Sequence, residues 1–149
     1  MRAVIQRVLS STVTVAGELA GEIGPGLMVL LGVGAGDTAQ DAVYLAEKIV
    51  NLRIFNDTEG KLNCSALDLG LSIMVVSQFT LYGDCRKGRR PNFTGAAPPE
   101  AGEELYEVFC NEVAKYRINI AKGRFRSHME VGLINDGPVT IILDSQRQF

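Results

Sequence analysis

Two short polar segments carry the residue types that could do chemistry in this chain of 149 residues. The first, Ser77-Gln78-Phe79-Thr80, stands where a strongly apolar run ends, so its hydroxyl, amide and backbone N–H groups could point into a pocket. Fixed donors of this kind stabilise a developing oxyanion without any protein nucleophile. The alternative interpretation is a strand that simply leaves the core, and the residues alone leave both open.

The second segment, Asn135-Asp136-Gly137-Pro138-Val139-Thr140, lies between two apolar stretches and predicts a tight turn at Gly137-Pro138. An X-Pro bond is the one type in which the cis form is cheap, and glycine lets the backbone approach a ligand with no Cβ atom in between. The competing interpretation is an ordinary turn with a trans bond, which is the commoner form.

A basic loop, Arg86-Lys87-Gly88-Arg89-Arg90-Pro91, is the best candidate for contacts with a polyanion. Four cations within five residues on a glycine-containing segment suit phosphate groups, although a merely solvated loop is the alternative. The net charge of −2 argues against nonspecific coating of DNA but permits a small RNA footprint. The runner-up hypothesis for the whole chain is therefore a noncatalytic RNA-binding module that uses Arg86–Arg90.

Other catalytic and cofactor patterns are incomplete. The glycine run 32–37 has the spacing G-x-G-x-G and ends in Asp37, where a dinucleotide-binding fingerprint needs glycine, so it predicts a strand-to-helix turn. A Ser-His-Asp triad would have to use His128, the only histidine, and no G-x-S-x-G elbow is present. No H-E-x-x-H motif, cysteine pair or tight carboxylate cluster indicates a metal, so neither metal nor cofactor is expected.

Composition predicts a single domain that spans residues 1–149. The chain is 46% apolar and 21% charged, as in ordinary globular proteins. No apolar run approaches the ~20 residues that span a bilayer, and the first residues lack the apolar region of a signal peptide. We therefore expect a cytoplasmic protein that has no contact with membranes and keeps its three cysteines reduced.

Apolar periodicity predicts the elements that must position these segments. The expected strands are Val4–Val15 with a bulge near Ser10-Ser11, Leu19–Ile23, Leu27–Val33, Arg53–Phe55, Ser72–Phe79, Ile118–Ala121, Met129–Ile134 and Val139–Asp144. One helix should follow the capping box Thr38-Ala39-Gln40-Asp41 and a second should run from Glu100 to Tyr116, after a long loop over Thr80–Pro99. The layout predicts an α+β fold: a barrel-like mixed or antiparallel β-sheet with two main helices packed outside.

Taken together, the segments resemble the D-aminoacyl-tRNA deacylase family. The resemblance rests on Ser77-Gln78-Phe79-Thr80-Leu81, the loop 86–91 and the segment 135–140 at the right separation, and it extends to Ala3–Val8 and Asn51–Phe55. It implies a cytoplasmic homodimer that hydrolyses the ester between a D-amino acid and tRNA, a proofreading step in translation. The implied fold is a barrel-like β structure with helices outside. The resemblance implies that no metal is bound.

The resemblance also implies how the substrate is selected. Gly137 and Pro138, joined by a cis bond, would reach from one subunit into the pocket of the other. Their carbonyl groups would meet the α-amino end of the substrate and leave no space for an L side chain. Arg7 would help to hold that turn, and Met129 would form a wall of the pocket. Because glycine has no side chain to repel, mischarged glycyl-tRNA is expected to be a second substrate.

For catalysis, the resemblance implies that the tRNA contributes a reactive group of its own. The ribose 2′-hydroxyl would assist the attacking water, while the protein supplies positioning and oxyanion donors near Phe79 and Thr80. The residues beside the ester would be Ser77, Gln78, Phe79 and Thr80, and those that contact tRNA would be Arg86, Lys87, Arg89 and Arg90. One stretch departs from the family pattern: Phe125-Arg126-Ser127-His128-Met129 replaces a Phe-Gly-Ala-Asp-Met-like segment.

Overall fold

Eight strands and three α-helices make up the computed structural model, which describes residues 1–149. The strands are β1 (Arg2–Val15), β2 (Glu18–Ile23), β3 (Gly26–Gly32), β4 (Phe55–Asn56), β5 (Leu62–Cys64), β6 (Ser72–Ser77), β7 (Ile120–Lys122) and β8 (Glu130–Asp144). The helices are α1 (Ala39–Val50), α2 (Ala66–Leu69) and α3 (Pro99–Ala114), and a 3₁₀ helix covers Phe79–Tyr82. None of the helices is long and apolar enough to cross a bilayer.

Strand β1 organises the sheet because it has partners on both edges. Its first half pairs antiparallel with β3 and its second half with β2, while β8 runs antiparallel along nearly all of its other edge. Alternate residues of β1 are buried, and the residues between them are partly exposed. This period of two is what its β-branched sequence predicts for a strand with one face on the core.

Beyond β3 the sheet becomes parallel. Strand β3 pairs with β6, and β6 pairs with β7, both in parallel register. These connections run through α1 and α3, which pack on the outside of the sheet, as parallel crossovers require. Six of the seven residues of β3 are buried, which confirms the prediction of a central strand covered on both faces.

Two apolar clusters fill the two sides of the sheet. The larger lies between the sheet and the helices and includes Leu45, Ile49 and Phe109. The smaller fills the interior of the barrel and consists of Val8, Val13, Val15, Ile23, Met28, Met74 and Val76. At the barrel seam β2 approaches β7 so closely that a Cβ atom on Gly21 would lie 2.9 Å from the carbonyl oxygen of Lys122. The predicted α+β, barrel-like mixed sheet with helices outside is therefore confirmed.

Several elements differ from the sequence predictions. The short helix α2 was not expected; Ser65 caps it by accepting a hydrogen bond from the backbone N–H of Asp68, and Gly70 ends it in a left-handed conformation. The expected strand Arg53–Phe55 is instead the pair β4 and β5, and the long loop after β6 begins with the 3₁₀ helix. The capping box that opens α1 is present: the Asp41 carboxylate accepts from the Thr38 backbone N–H at 2.8 Å.

The two strands expected at the end of the chain are one strand, β8. From the pair Gln6–Thr140 to the pair Val8–Asn135, β1 advances two residues and β8 advances five, so three extra residues of β8 bulge out of the sheet. We call Asp136–Val139 the β8 bulge. The sequence indicates a break here, but only the pairing of both halves with the same neighbour makes the break a bulge.

Candidate active site

A cavity of about 760 Å³ lies where β6 ends. Its walls come from the end of β6, the beginning of α3, the segment before α3 and the segment 125–131 that leads into β8. Eleven of its nineteen lining residues are hydrophobic. Ligand sites typically combine apolar walls of this kind with a few fixed polar groups.

The polar groups of the cavity come from the turn that follows β6. Ser77 and Gln78 line the cavity, and the Gln78 N–H donates to the carbonyl oxygen of Leu31 at 2.8 Å, which completes the pairing with β3. The chain can turn here because Gly32 has no side chain: a Cβ atom there would lie 2.9 Å from the carbonyl oxygen of Gln78.

Two backbone donors are left free at this turn. Phe79 and Thr80 are the first two residues of the 3₁₀ helix, so their N–H groups have no partner within it. No carbonyl or side-chain oxygen elsewhere in the chain accepts a hydrogen bond from either N–H group. Adjacent N–H groups at a cavity edge are the geometry that binds an oxyanion.

An aromatic pair, of which Phe79 is exposed and Phe93 partly buried, lines the cavity. Phe79 is 58% exposed, and its ring meets Phe93 edge to face at a centroid distance of 5.2 Å. Both rings line the cavity. A large apolar side chain this exposed offers a surface to a planar or apolar ligand group.

Of the residues expected beside the ester, the structure brings Ser77, Gln78 and Phe79 to the cavity together with Met129. Thr80 is exposed and does not line it. Its hydroxyl accepts a hydrogen bond from the Gln78 side-chain amide. Thr80 thus contributes its backbone N–H and a contact to Gln78 to this region.

Gly137 and Pro138 at the tip of the β8 bulge are exposed, whereas Asp136 and Val139 are partly buried, and none of the four lines the cavity of its own chain. The Gly137-Pro138 peptide bond is cis, and Gly137 has φ +142°, a conformation that L side chains rarely adopt. Asn135 brackets the bulge: its side-chain oxygen accepts from the Val139 N–H at 2.8 Å, and its amide nitrogen donates to the Val139 carbonyl oxygen at 3.2 Å.

Arg7 joins the bulge to the body of the protein. The guanidinium is buried; its Nε donates to the Asp136 carbonyl oxygen at 2.9 Å and its Nη1 to the Ile54 carbonyl oxygen at 2.7 Å. Nε also lies 3.4 Å from the Asp136 carboxylate. A buried guanidinium with these partners fixes the position of both chain segments.

The basic loop lies outside the cavity and is fully exposed. Arg86 is paired within the loop: its Nε and Nη2 donate to the two carboxylate oxygens of Asp84 at 2.9 and 2.7 Å. These hydrogen bonds lower the pKa of Asp84 to about 2. Within this loop, Lys87, Arg89 and Arg90 form no ion pair.

The structure also explains why the glycine run 32–37 is a turn. The Asp37 carboxylate accepts from the Gly34 N–H at 2.6 Å and from the Tyr82 hydroxyl at 3.3 Å, and a Cβ atom on Gly34 would lie 2.6 Å from that ring. The Asp37 carboxylate thus already accepts from the backbone N–H that a phosphate group would need at this turn. The desolvation of Tyr82 and the nearby Asp37 charge raise the pKa of its phenol.

His128 lines the cavity but has neither an ion-pair partner nor a hydrogen bond, so it lacks the carboxylate that would orient it in a triad. No three His, Cys, Asp or Glu side chains come together in a metal-binding group. Arg126, which belongs to the stretch that departs from the family pattern, also lines the cavity.

Several lining residues were not found from the sequence. Phe93 and Ala96–Pro99 come from the long loop, and Tyr106 comes from the inner face of α3. The buried Tyr106 hydroxyl donates to the Val75 carbonyl oxygen at 2.9 Å, and burial raises the pKa of this phenol. Helical periodicity predicted this helix, but it could not indicate that one of its faces borders a cavity.

Comparisons with known proteins agree with this arrangement. The family model described as D-Tyr-tRNA(Tyr) deacylase matches residues 4–144. D-aminoacyl-tRNA deacylases from Desulforudis audaxviator and Halothermothrix orenii are 61% and 58% identical to the chain over 149 residues, which is the full length of each protein.

Solved structures have the same fold. The c-Myc DNA Unwinding Element Binding Protein superimposes with a TM-score of 0.91 at 42% identity, covering 97% of this chain and 98% of that one. A structure described as "a probable eukaryotic D-amino acid tRNA deacylase" superimposes with a TM-score of 0.83 at 20% identity, covering 95% and 97%, and supports the fold alone. Because the family model and full-length relatives agree, the chain belongs to the D-aminoacyl-tRNA deacylase family, a family of hydrolases.

Proposed function

We propose that the protein hydrolyses the ester bond between a D-amino acid and tRNA. The observation that carries this proposal is the pair of free backbone N–H groups of Phe79 and Thr80 beside an apolar cavity. Such donors bind the negative charge that develops on the ester carbonyl oxygen when water attacks. Family membership selects the substrate class.

The chemistry requires little more from the protein. An aminoacyl ester is already activated, and the neighbouring ribose 2′-hydroxyl lies within reach of the attacking water. We assign that hydroxyl the assisting role and give Ser77 and Gln78 the task of positioning the ester. This mechanism needs no catalytic histidine, which agrees with the lack of an ion-pair partner for His128.

Selection of the D enantiomer is assigned to Gly137 and Pro138 of a second copy of the chain. In a single chain these residues are exposed and do not line the cavity, so they are available to a partner. Strands β1 and β8 also expose Leu9, Ile134 and Ile142, each at least half exposed. Exposed apolar side chains on these strands suit a homodimer in which each bulge completes the partner's site.

Selection by backbone atoms has a direct consequence for substrate range. Carbonyl groups that block one direction from the α-carbon reject every L side chain, whatever its chemistry, and admit many D side chains. Glycine offers nothing to reject. We therefore expect glycyl-tRNA to be hydrolysed as well, with Met129 acting as a wall of the pocket.

The exposed cations Lys87, Arg89 and Arg90 are assigned to the tRNA backbone, with Arg86 partly neutralised by Asp84. We also propose that the protein acts in the cytoplasm, where tRNA is used. The same cations support the second candidate function, a noncatalytic RNA-binding module. That hypothesis predicts salt-dependent binding without ester cleavage.

Hydrolysis of matched D- and L-aminoacyl-tRNA decides between these functions. We expect release of the D-amino acid and of glycine, with little release of the L-amino acid. A 2′-deoxy terminal adenosine should slow the reaction strongly. Equal rates on the two enantiomers would refute the selection mechanism, and tRNA binding without turnover of any ester would favour the RNA-binding module.

The shared site is tested by mixing two variants. Gln78→Ala impairs the cavity and Gly137→Val relaxes selection, so a mixed dimer contains one site with an intact cavity and an intact bulge. In an equal mixture such sites should make up about half of the functional sites of a two-fold dimer, so the ratio of L to D hydrolysis should fall to about half of its value in Gly137→Val alone. An unchanged ratio, together with a monomeric mass in sedimentation, would refute a shared site.

A further inference from the structure

Arg126 occupies a backbone position that favours glycine. It is the third residue of a turn closed by a hydrogen bond from the Ser127 N–H to the Arg124 carbonyl oxygen at 3.3 Å. Its φ is +57°, in the left-handed region. Glycine adopts this conformation without strain, whereas arginine does not. An arginine at such a position is a reason to ask what its side chain does.

The segment that follows presents alternate residues to two sides. Phe125, Ser127 and Met129 are partly buried, whereas Arg126 and His128 are exposed. Both exposed residues line the cavity. Neither forms an ion pair with any carboxylate of the chain. Their hydrogen-bond donors are therefore free for a ligand.

The lining of the cavity contains no compensating negative charge. Among its nineteen residues there is no aspartate or glutamate, and Arg126 carries the one permanent positive charge. Lys122 in β7 is already paired, because its ammonium group lies 2.8 Å from the Glu107 carboxylate of α3. A cavity wall with free cationic and imidazole donors and no carboxylate suits an anion.

We propose that Arg126 and His128 bind the phosphodiester group that precedes the terminal nucleoside of the RNA substrate. This inference rests on the proposed function, because it takes the ester to lie at the N–H groups of Phe79 and Thr80. The terminal nucleoside then lies against the exposed Phe79 ring, and its 5′-phosphate lies at Arg126 and His128, which line the same cavity. Arg126 supplies a charge-assisted hydrogen bond and His128 a second, weaker donor.

Two minimal substrates isolate this contact: D-tyrosyl-adenosine, and the same ester with a 5′-phosphate on the adenosine. The wild-type protein should hydrolyse the phosphorylated ester with a kcat/KM about tenfold higher, the size of one charge-assisted hydrogen bond at a partly exposed site. The preference should reside mainly in KM and decrease with added salt.

Variants then locate the contact. Arg126→Gly removes the side chain at a position that suits glycine, so the fold is retained and the phosphate preference should fall to about twofold or less. Arg126→Lys keeps the charge and should keep most of the preference, and His128→Ala should reduce it by a smaller factor. Arg117→Gly is the matched control: Arg117 is exposed, has φ +59° and does not line the cavity. It should retain the full preference.

The possible failures are distinguishable. An unchanged preference in Arg126→Gly, or an equal loss in Arg117→Gly, would overturn the phosphate contact while leaving the hydrolase intact. If the wild-type protein hydrolyses neither ester, the proposed function fails. In that case a binding measurement tests the phosphate contact. We expect adenosine 5′-phosphate to bind more tightly than adenosine, and this difference to be lost in Arg126→Gly. Any other result would show that the inference is wrong.

Discussion

Replacement of Arg7 by methionine tests how the β8 bulge is held. Methionine keeps most of the buried stem but removes the donors to the carbonyl oxygens of Ile54 and Asp136, which accept at 2.7 and 2.9 Å. A hydrogen bond from a charged donor contributes roughly 1.5–3 kcal/mol, and a buried carbonyl left without a partner costs a similar amount. The ion pair with the half-exposed Asp136 carboxylate adds at most about 0.5 kcal/mol.

Since contributions at one site are not additive, we expect the free energy of unfolding to fall by about 3 kcal/mol. For a protein of this size each kcal/mol lowers the melting temperature by roughly 4 °C, so the midpoint should fall by about 10 °C. Calorimetry and urea unfolding measure the change, and an unchanged urea m-value would show that the unfolded state is the same.

Arg53→Met is the matched control, because Arg53 is exposed and makes only a long hydrogen bond of 3.4 Å to Asn63. Its unfolding free energy should change by less than about 0.5 kcal/mol. If Arg7→Met melts within 2 °C of this control by the same estimate, the two buried hydrogen bonds do not stabilise the fold as argued. If it melts lower but keeps full discrimination between D- and L-aminoacyl-tRNA, Arg7 does not position the bulge for selection.

Three further results are expected. Gly137→Ala should destabilise the fold by about 1–2 kcal/mol and relax chiral discrimination, because its φ is +142° and the new Cβ atom would lie 2.8 Å from a Val139 methyl group; wild-type selectivity would contradict this. Hydrogen bonds from Arg86 lower the pKa of Asp84 to about 2, so their contribution to stability is full above the usual pKa of 3.8 and is lost as the pH falls through about 2. Carboxyl NMR titration should place the Asp84 midpoint near 2 and return it toward 3.8 in Arg86→Ala. A thiol reagent at pH 8 should label the exposed Cys85 first and Cys110 only on unfolding, since burial raises the pKa of that thiol to about 12; rapid labelling that persists in Cys85→Ser would contradict this.

In the proposed function the cavity serves catalysis and the β8 bulge serves selection. The free N–H groups stand at the end of a strand buried on both faces, where the backbone is fixed. Gly137 and Pro138 of the bulge are exposed, so a partner can reach them. If the homodimer forms as proposed, neither function is complete within one chain, and selection depends on subunit association.

Local patterns along the chain were sufficient to predict most of the elements. The apolar run of β3 predicted a strand buried on both faces, and the capping box at Thr38 predicted where α1 begins. The polar turn after β6 was predicted as a site because the change from apolar to polar residues is itself a local signal. Helix α2 was not predicted because a helix of four residues is too short to show helical periodicity. Only its terminal residues, Ser65 and Gly70, could have indicated it.

The sequence by itself determined the family, the alternation of each strand and the polar residues of the turn after β6. It did so because these depend on neighbours along the chain or on motifs with characteristic spacing. Only the tertiary structure decided that Gly137 leaves the sheet as a bulge and that Arg7, expected to hold this turn, also donates to the carbonyl oxygen of Ile54 after α1. It also decided that Arg126 and His128 enter the cavity wall whereas the Thr80 side chain does not. These outcomes depend on register and on contacts between distant segments, which no local pattern of residues encodes.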